Sequence, residues 1–323
     1  MSELSGYGPT PFDALRRGRR AVDRLMASMV DNGGMWREVA ATQVLLSEAS
    51  PPIYFQEFTS AEEAAAGADW MWWWVDRDGV CFGLLAQAKI LKVNGRQWTI
   101  DFGYRTKGDP RSQITKLIKA AEPYQVPAAY ILYCGDRKYR ATLECDRTHG
   151  SVLCRDRERV GVSVVCALVA QRDVSFYGKG AGLEAFHDAV PVEDIASPAG
   201  VDNPVHSLVR ELDEELAQFL VQPQSGARRV AKELLRPLER IRRGQFSRAG
   251  TLERAAPVAD ALFRDVPTDR GHFSVPYLAH VLRGLRTGVP DYVRDVMEGR
   301  TPPAWVTDRF GGIVVIPEAD TFG

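Results

Sequence analysis

The sequence predicts an α/β fold, a mixed sheet flanked by helices, with a mainly helical carboxyl-terminal region after it. Three observations carry the prediction. Apolar residues recur at three- and four-residue spacing over residues 36–48 and again beyond Asp109-Pro110, the period of an amphipathic helix. Between and after these segments lie short runs rich in aromatic and β-branched residues, at 68–75, 80–93 and 128–134, which suit pleated strands. Past about residue 178 the helical period dominates, at 204–222, 227–243, 252–263 and 275–286, before one last strand-like run at 312–317. Helices that alternate with strands bury their apolar stripes against a sheet.

Taken in order, residues 1–35 are an amino-terminal helical arm in which Phe12, Leu15, Val22 and Leu25 mark the apolar face and Arg16, Arg17, Arg19 and Arg20 form a basic cluster. The core is expected at 36–175. Its first helix has Glu38 near its start and ends at Ser50-Pro51-Pro52, because proline lacks the N–H that would continue it. A strand at 53–58 follows. The next two strands are separated by Asp76-Arg77-Asp78-Gly79, and an Asp-Gly pair between two such runs signals a hairpin, since glycine supplies the positive φ of a tight turn. A three-residue turn sets residue 76 opposite residue 80, so opposed numbers sum to about 156. Residues 97–104 are a further strand or loop. Asp109 suits a helix N-cap with Pro110 as first helical residue, and Ile114, Leu117, Ile118 and Ala121 mark the buried face of that helix. Strands are expected at 128–134 and 160–170, and residues 176–323 make up the mainly helical region.

Composition narrows the function classes. With 41 basic and 42 acidic residues the net charge is −1, which excludes a chain that binds nucleic acid through overall positive charge; any such contact must be a local patch. No apolar run approaches the roughly 20 residues of a membrane helix, and the first residues lack a secretory signal. With five irregularly spaced cysteines, a cytoplasmic location and no membrane partner are expected.

The hairpin register brings chemistry together. It sets Asp69 beside the Gln87-Ala88-Lys89 tripeptide, and strand alternation puts Gln87 and Lys89 on one face. A carboxylate, an amide oxygen and an ammonium thus converge. The two oxygens suit a hard divalent cation such as Mg²⁺, and the ammonium can orient a water or offset charge on a phosphorane-like transition state. A structural ion pair between Asp69 and Lys89 at a sheet edge is the alternative.

These residues resemble the PD-(D/E)xK nuclease superfamily, whose signature is an acidic residue followed, on the neighbouring strand, by an acidic residue two before a lysine. Here it reads Gly67-Ala68-Asp69 and Gln87-Ala88-Lys89, and Glu63, Ser112-Gln113-Ile114 and Tyr130-Ile131-Leu132-Tyr133-Cys134 are similar to an uncharacterised bacterial branch of that superfamily. The resemblance covers residues 36–170. It implies a restriction endonuclease-like order of helix, three strands, helix and strand, and a metal-dependent endonuclease that cleaves nucleic acid, DNA favoured over RNA, in defence against foreign DNA. It further implies metal ligation (Mg²⁺ or Mn²⁺) by Asp69, Gln87 and Glu38, water activation by Lys89, and a substrate-orienting role for Gln113. Gln87 departs from the pattern, removing one negative charge while keeping a carbonyl oxygen. A catalytically inactive protein of the same fold that binds nucleic acid or a regulatory partner is therefore the second reading. Self-association and an activating partner protein or ligand stay open.

Other features have plainer readings. Trp72 and Trp74 share a strand face with apolar neighbours, which favours core over base stacking. Cys134, Cys145, His149 and Cys154 lack the Cys-x-x-Cys knuckle of structural zinc motifs, so zinc is not expected, and Cys81, Cys134 and Cys166 read as small buried hydrophobes. Gly178 to Gly182 lacks the P-loop frame, and His187, His206, His272 and His280 show no metal-pair spacing. The arginines of 16–20, 228–229 and 236–243 can either contact phosphates or pair along helix faces.

Overall fold

The structure is a computed structural model that describes residues 9–58, 70–94, 97–102, 112–143, 145, 154–196, 203–245 and 259–318. Helix α1 (Pro11–Asp31) opens at Thr10, whose hydroxyl accepts the Asp13 N–H. It packs along α2 (Glu38–Ala49), and a Cβ on Gly18 would stand 2.4 Å from the Leu45 carbonyl oxygen, so the missing side chain is what lets the helices meet. Strands β1 (Tyr54–Glu57), β2 (Trp70–Val75) and β3 (Cys81–Ile90) follow, then a small ribbon of β4 (Lys92–Asn94) and β5 (Gln97–Thr99). Next come α3 (Gln113–Ala121), β6 (Ala128–Tyr133), the short α4 (Arg137–Thr142) and α5 (Arg155–Arg159), β7 (Val162–Cys166) and α6 (Ala167–Tyr177). The remainder holds β8 (Val190–Pro191), α7 (Glu214–Val221), α8 (Gly226–Arg243), α9 (Tyr277–Leu282), β9 (Leu285–Arg286), α10 (Asp291–Met297), α11 (Ala304–Thr307) and β10 (Gly312–Pro317).

The fold is α/β, with a mixed sheet in the order β1-β10-β2-β3-β6-β7-β8 and β9 paired beside the start of β3. The β10–β2 and β3–β6 pairs are parallel; the other neighbours are antiparallel. Every residue of β2 and β6 is buried, as expected of inner strands covered on both faces. Trp72 and Trp74 stack on one face at 6.1 Å between ring centroids, and Trp73 meets Tyr292 of α10. The tryptophans are core. From residue 36 to 134 the predicted order is present among the described residues as α2, β1, β2, β3, α3 and β6, with the β4–β5 ribbon and a single 3-10 turn at Glu122–Tyr124 intervening.

The hairpin follows the expected register: Val75 opposes Cys81 and Trp70 opposes Ala86, with the Asp76 N–H donating to Val80 O at 2.8 Å. Gly79 has φ +82°, the left-handed conformation the turn needs. Other elements differ from expectation. The strand expected at 160–170 ends at Cys166, and Ala167 to Ala170 begin α6; all four are buried, and a buried apolar run has no period to tell helix from strand. Helix α3 starts at Gln113 behind Ser112, whose hydroxyl caps the Thr115 N–H, while Asp109 and Pro110 lie outside the described residues. The helices expected at 204–222 and 275–286 shrink to α7, behind the N-cap Asp213, and α9, where Gly284 turns the chain into β9. In 252–263 the described residues 259–263 are not helical: Ala261 bridges Arg286 and the Leu262 N–H bonds Leu285 O.

Boundaries at 35/36 and 175/176 run through continuous packing. β10 lies between β1 and β2, one place in from the sheet edge, α1 rests on α2, and the Ala227 N–H at the start of α8 donates to Asp76 of the hairpin at 2.7 Å. Among the described residues no helix is long and apolar enough to cross a membrane.

Candidate active site

Alternation along β3 turns Gln87 and Lys89 to the same face, where their register partners on β6 are Tyr130 and Leu132. Helix α3 covers this face. Lys89 Nζ donates to Gln113 Oε1 at 2.5 Å, a contact between two predicted site residues 24 positions apart. Ser112 fixes where the helix begins, and so where Gln113 stands. Gln87 is 4% exposed and Lys89 and Gln113 are half-buried, so the amide is withdrawn from bulk water while the ammonium stays near it.

Asp69 lies outside the described residues; the β2–β3 pairing is described up to Trp70 opposite Ala86, the immediate neighbours of Asp69 and Gln87. Glu38 is the first residue of α2 and is half-buried. Its carbonyl accepts from Thr42 Oγ1 at 2.9 Å, and that hydroxyl also bonds the Tyr133 hydroxyl at 2.8 Å. Tyr133 follows Leu132 on β6 and faces the opposite side of the sheet from Lys89. Helices α2 and α3 thus flank the same end of β3 and β6 from two sides, and no hydrogen bond or ion pair joins Glu38 to Gln87 or Lys89 among the described residues. The carbonyl oxygen of Gln87 suits a hard cation such as Mg²⁺, but it is neutral and stands beside a lysine. Carboxylates must supply the charge such an ion requires, and Asp69 and Glu38 are the candidates for it.

At this same end of β6 the chain passes through Gly135 to Asp136, whose carboxylate caps α4 at the Tyr139 N–H. A cleft of about 930 Å³ opens here between α1 and the starts of α4 and α5. Its floor is a buried network. Arg19 donates through Nε to both oxygens of Glu193 and through NH1 to Asp23 at 2.9 Å, and Arg140 reaches Asp23 at 3.1 Å and Glu158 O at 3.0 Å. The rim differs: Arg20, Arg24, Arg137 and Arg155 are exposed and form no ion pair among the described residues. Eight arginines line the cleft against five carboxylates, leaving it a net positive field. Of these, only Arg16, Arg19 and Arg20 belonged to the cluster noted in the sequence. Arg24 was missed, although Arg16, Arg20 and Arg24 follow at four-residue steps along one helix face.

The other basic run is consumed internally. Arg242 is buried and bonds Asp269 through two nitrogens, Arg236 pairs with Glu233, and Arg240 pairs with Asp188. His280 is likewise a core residue: Nε2 accepts the Ala128 N–H at 3.2 Å, and burial holds its pKa well below the usual imidazole range.

No curated protein and no solved structure matches the chain. One family model, described as "Family of unknown function (DUF6615)", matches residues 14–321, from α1 past β10, and the chain belongs to that family.

Proposed function

We propose that this protein is a metal-dependent endonuclease of the PD-(D/E)xK type that hydrolyses phosphodiester bonds, DNA favoured over RNA. One observation carries the reading: Gln87 and Lys89 share the β3 face that α3 covers, with Lys89 bonded to Gln113, inside an order of helix, three strands, helix and strand. Asp69 and Gln87 would hold Mg²⁺ or Mn²⁺, which when bound supplies Lewis acidity at the scissile phosphate, and Glu38, on the α2 side of the sheet, would have to join them around the end of the strands. Lys89 would orient the attacking water and offset charge on the transition state, and Gln113 would fix the ammonium and contact substrate. The rim arginines offer a track for phosphates beside this end of the sheet. The resemblance adds a role in defence against foreign DNA, and the cysteine usage favours a cytoplasmic setting.

The test is incubation with plasmid DNA, single-stranded DNA and RNA, in Mg²⁺, Mn²⁺ or EDTA. Metal-dependent cutting is expected, reduced roughly a hundredfold or more by Lys89→Ala and by Asp69→Ala. Cutting that survives both substitutions would overturn the site. Gln87 supports a second reading, a protein of this fold that binds nucleic acid without cutting it, because an amide replaces the charged ligand; binding to the same substrates with no cleavage in any metal would favour it.

A further inference from the structure

Three metal-ligating groups meet between α4 and the start of α5. Cys145 Sγ lies 3.5 Å from Cys154 Sγ, and a carboxylate oxygen of Asp156 completes a group whose three donor atoms are all within 4.8 Å of one another. A disulfide would hold the sulfurs at about 2.0 Å, and neither cysteine is disulfide-bonded here. Two thiolates on one tetrahedral Zn²⁺, each at about 2.3 Å from the ion, stand roughly 3.8 Å apart, close to the spacing present.

Cys154 is buried and is the N-cap of α5, its sulfur accepting the Arg157 N–H at 3.5 Å. Arg155 and Arg157, on the same short helix, offset the negative charge of two thiolates and a carboxylate around a divalent ion. The other three cysteines are placed differently: Cys81, Cys134 and Cys166 sit in or at the end of strands, and burial pushes their thiols up to about 12. Five irregularly spaced cysteines thus divide into three packing residues and one close pair.

We propose that Cys145, Cys154 and Asp156 form a binding site for a soft divalent cation, Zn²⁺ foremost, with the fourth tetrahedral position left to water or another donor. Thiolates select Zn²⁺ over the hard Mg²⁺, so this site is chemically separate from the one on β3 and stands or falls independently of the nuclease reading. Its effect is mechanical. The ion ties positions nine residues apart and pins the start of α5, which carries Arg155 into the arginine cleft. Zinc was not expected from the sequence because the knuckle spacing is absent; Cys145 and Cys154 are nine positions apart, and their closeness is not a local spacing pattern.

The experiment uses the full chain, purified without a metal-affinity tag or chelator, with bound metals measured by inductively coupled plasma mass spectrometry. About one zinc per chain is expected, and its loss in Cys145→Ser and Cys154→Ser. Titration of chelator-stripped protein with Co²⁺ should give a thiolate-to-cobalt absorption band in the near ultraviolet, absent from both variants and weakened in Asp156→Asn. Circular dichroism of each variant checks that it folds, and the Asp156→Asn arm keeps the test readable where a cysteine variant does not. Absence of zinc and of the cobalt band in folded wild-type protein would overturn the proposal, as would a thiol titration that finds three reactive thiols in the denatured, unreduced chain, the signature of a Cys145–Cys154 disulfide.

Discussion

At the scale of single residues, Gln87 decides what the candidate site can hold. Burying the Gln87 amide costs less than burying a carboxylate there, whose charge must be matched. Gln87→Glu restores the charge usual at this position of the PD-(D/E)xK motif, so its effect depends on metal. In EDTA the variant is expected to lose about 1–3 kcal/mol of stability to the buried carboxylate, and Mg²⁺ or Mn²⁺ should return part of it as a rise in Tm that the wild type does not match. Equal Tm responses to metal in the two proteins would count against a cation at Gln87. The pairing of Gln87 with Lys89 was legible in the sequence because strand alternation has a period of two and needs no knowledge of neighbours. The Lys89–Gln113 contact was not: it depends on where α3 starts, and Ser112 rather than Asp109 caps it. Glu38 was correctly read as the start of a helix, yet its distance from β3 is set by packing of α2 on the far face, which no local pattern encodes.

At the scale of elements, the β2–β3 hairpin is joined to α8 through Asp76. Its carboxylate accepts the Ala227 N–H and lies 3.6 Å from Arg228. Burial pushes the Asp76 pKa up to about 6; the Ala227 N–H and Arg228 pull it down, and Glu318 and Asp78 add repulsion. The protonated form is thus favoured by the fold. The associated stability is present below about pH 4, the unfolded value, and is lost as pH rises through about 6. Asp76→Asn keeps an oxygen for the Ala227 N–H without the charge. It should flatten the loss of stability between about pH 4 and 6 and raise Tm at pH 7 by several degrees. A thermal-unfolding profile that keeps the wild-type pH slope would refute this. The hairpin was readable because Asp-Gly turn chemistry is local, while α6 was misread because Ala167 to Ala170 are buried on all sides and show no polar side to give a helix away.

At the scale of the molecule, the arginine cleft joins parts that are distant in sequence. Its floor links Arg19 and Asp23 of α1 to Glu193 and to Arg140 of α4, and its open rim draws on α1, α4 and α5. No window of sequence holds that arrangement, although the four-residue arginine stripe on α1 hinted at half of it. If nucleic acid runs along the rim, Arg20→Glu with Arg24→Glu should weaken binding across sequences alike and reduce the slope of log K against log salt by roughly two. These side chains are exposed and form no ion pair among the described residues, so Tm should stay within about a degree of wild type. An unchanged salt slope would place the nucleic acid elsewhere.

The inner position of β10 carries a consequence in time. Strand β2, with its four tryptophans, finds its parallel neighbour only in residues 312–317, so during synthesis it must wait until almost the whole matched length has left the ribosome. Until then the hairpin presents an open, apolar edge of the kind that recruits chaperones or other strands. Lys89 lies on the other strand of that hairpin, so a nascent chain ending before residue 312 has the residues proposed for cleavage without the closed sheet that supports them. An enzyme of the proposed kind would thereby be kept idle until residues 312–317 have emerged and paired.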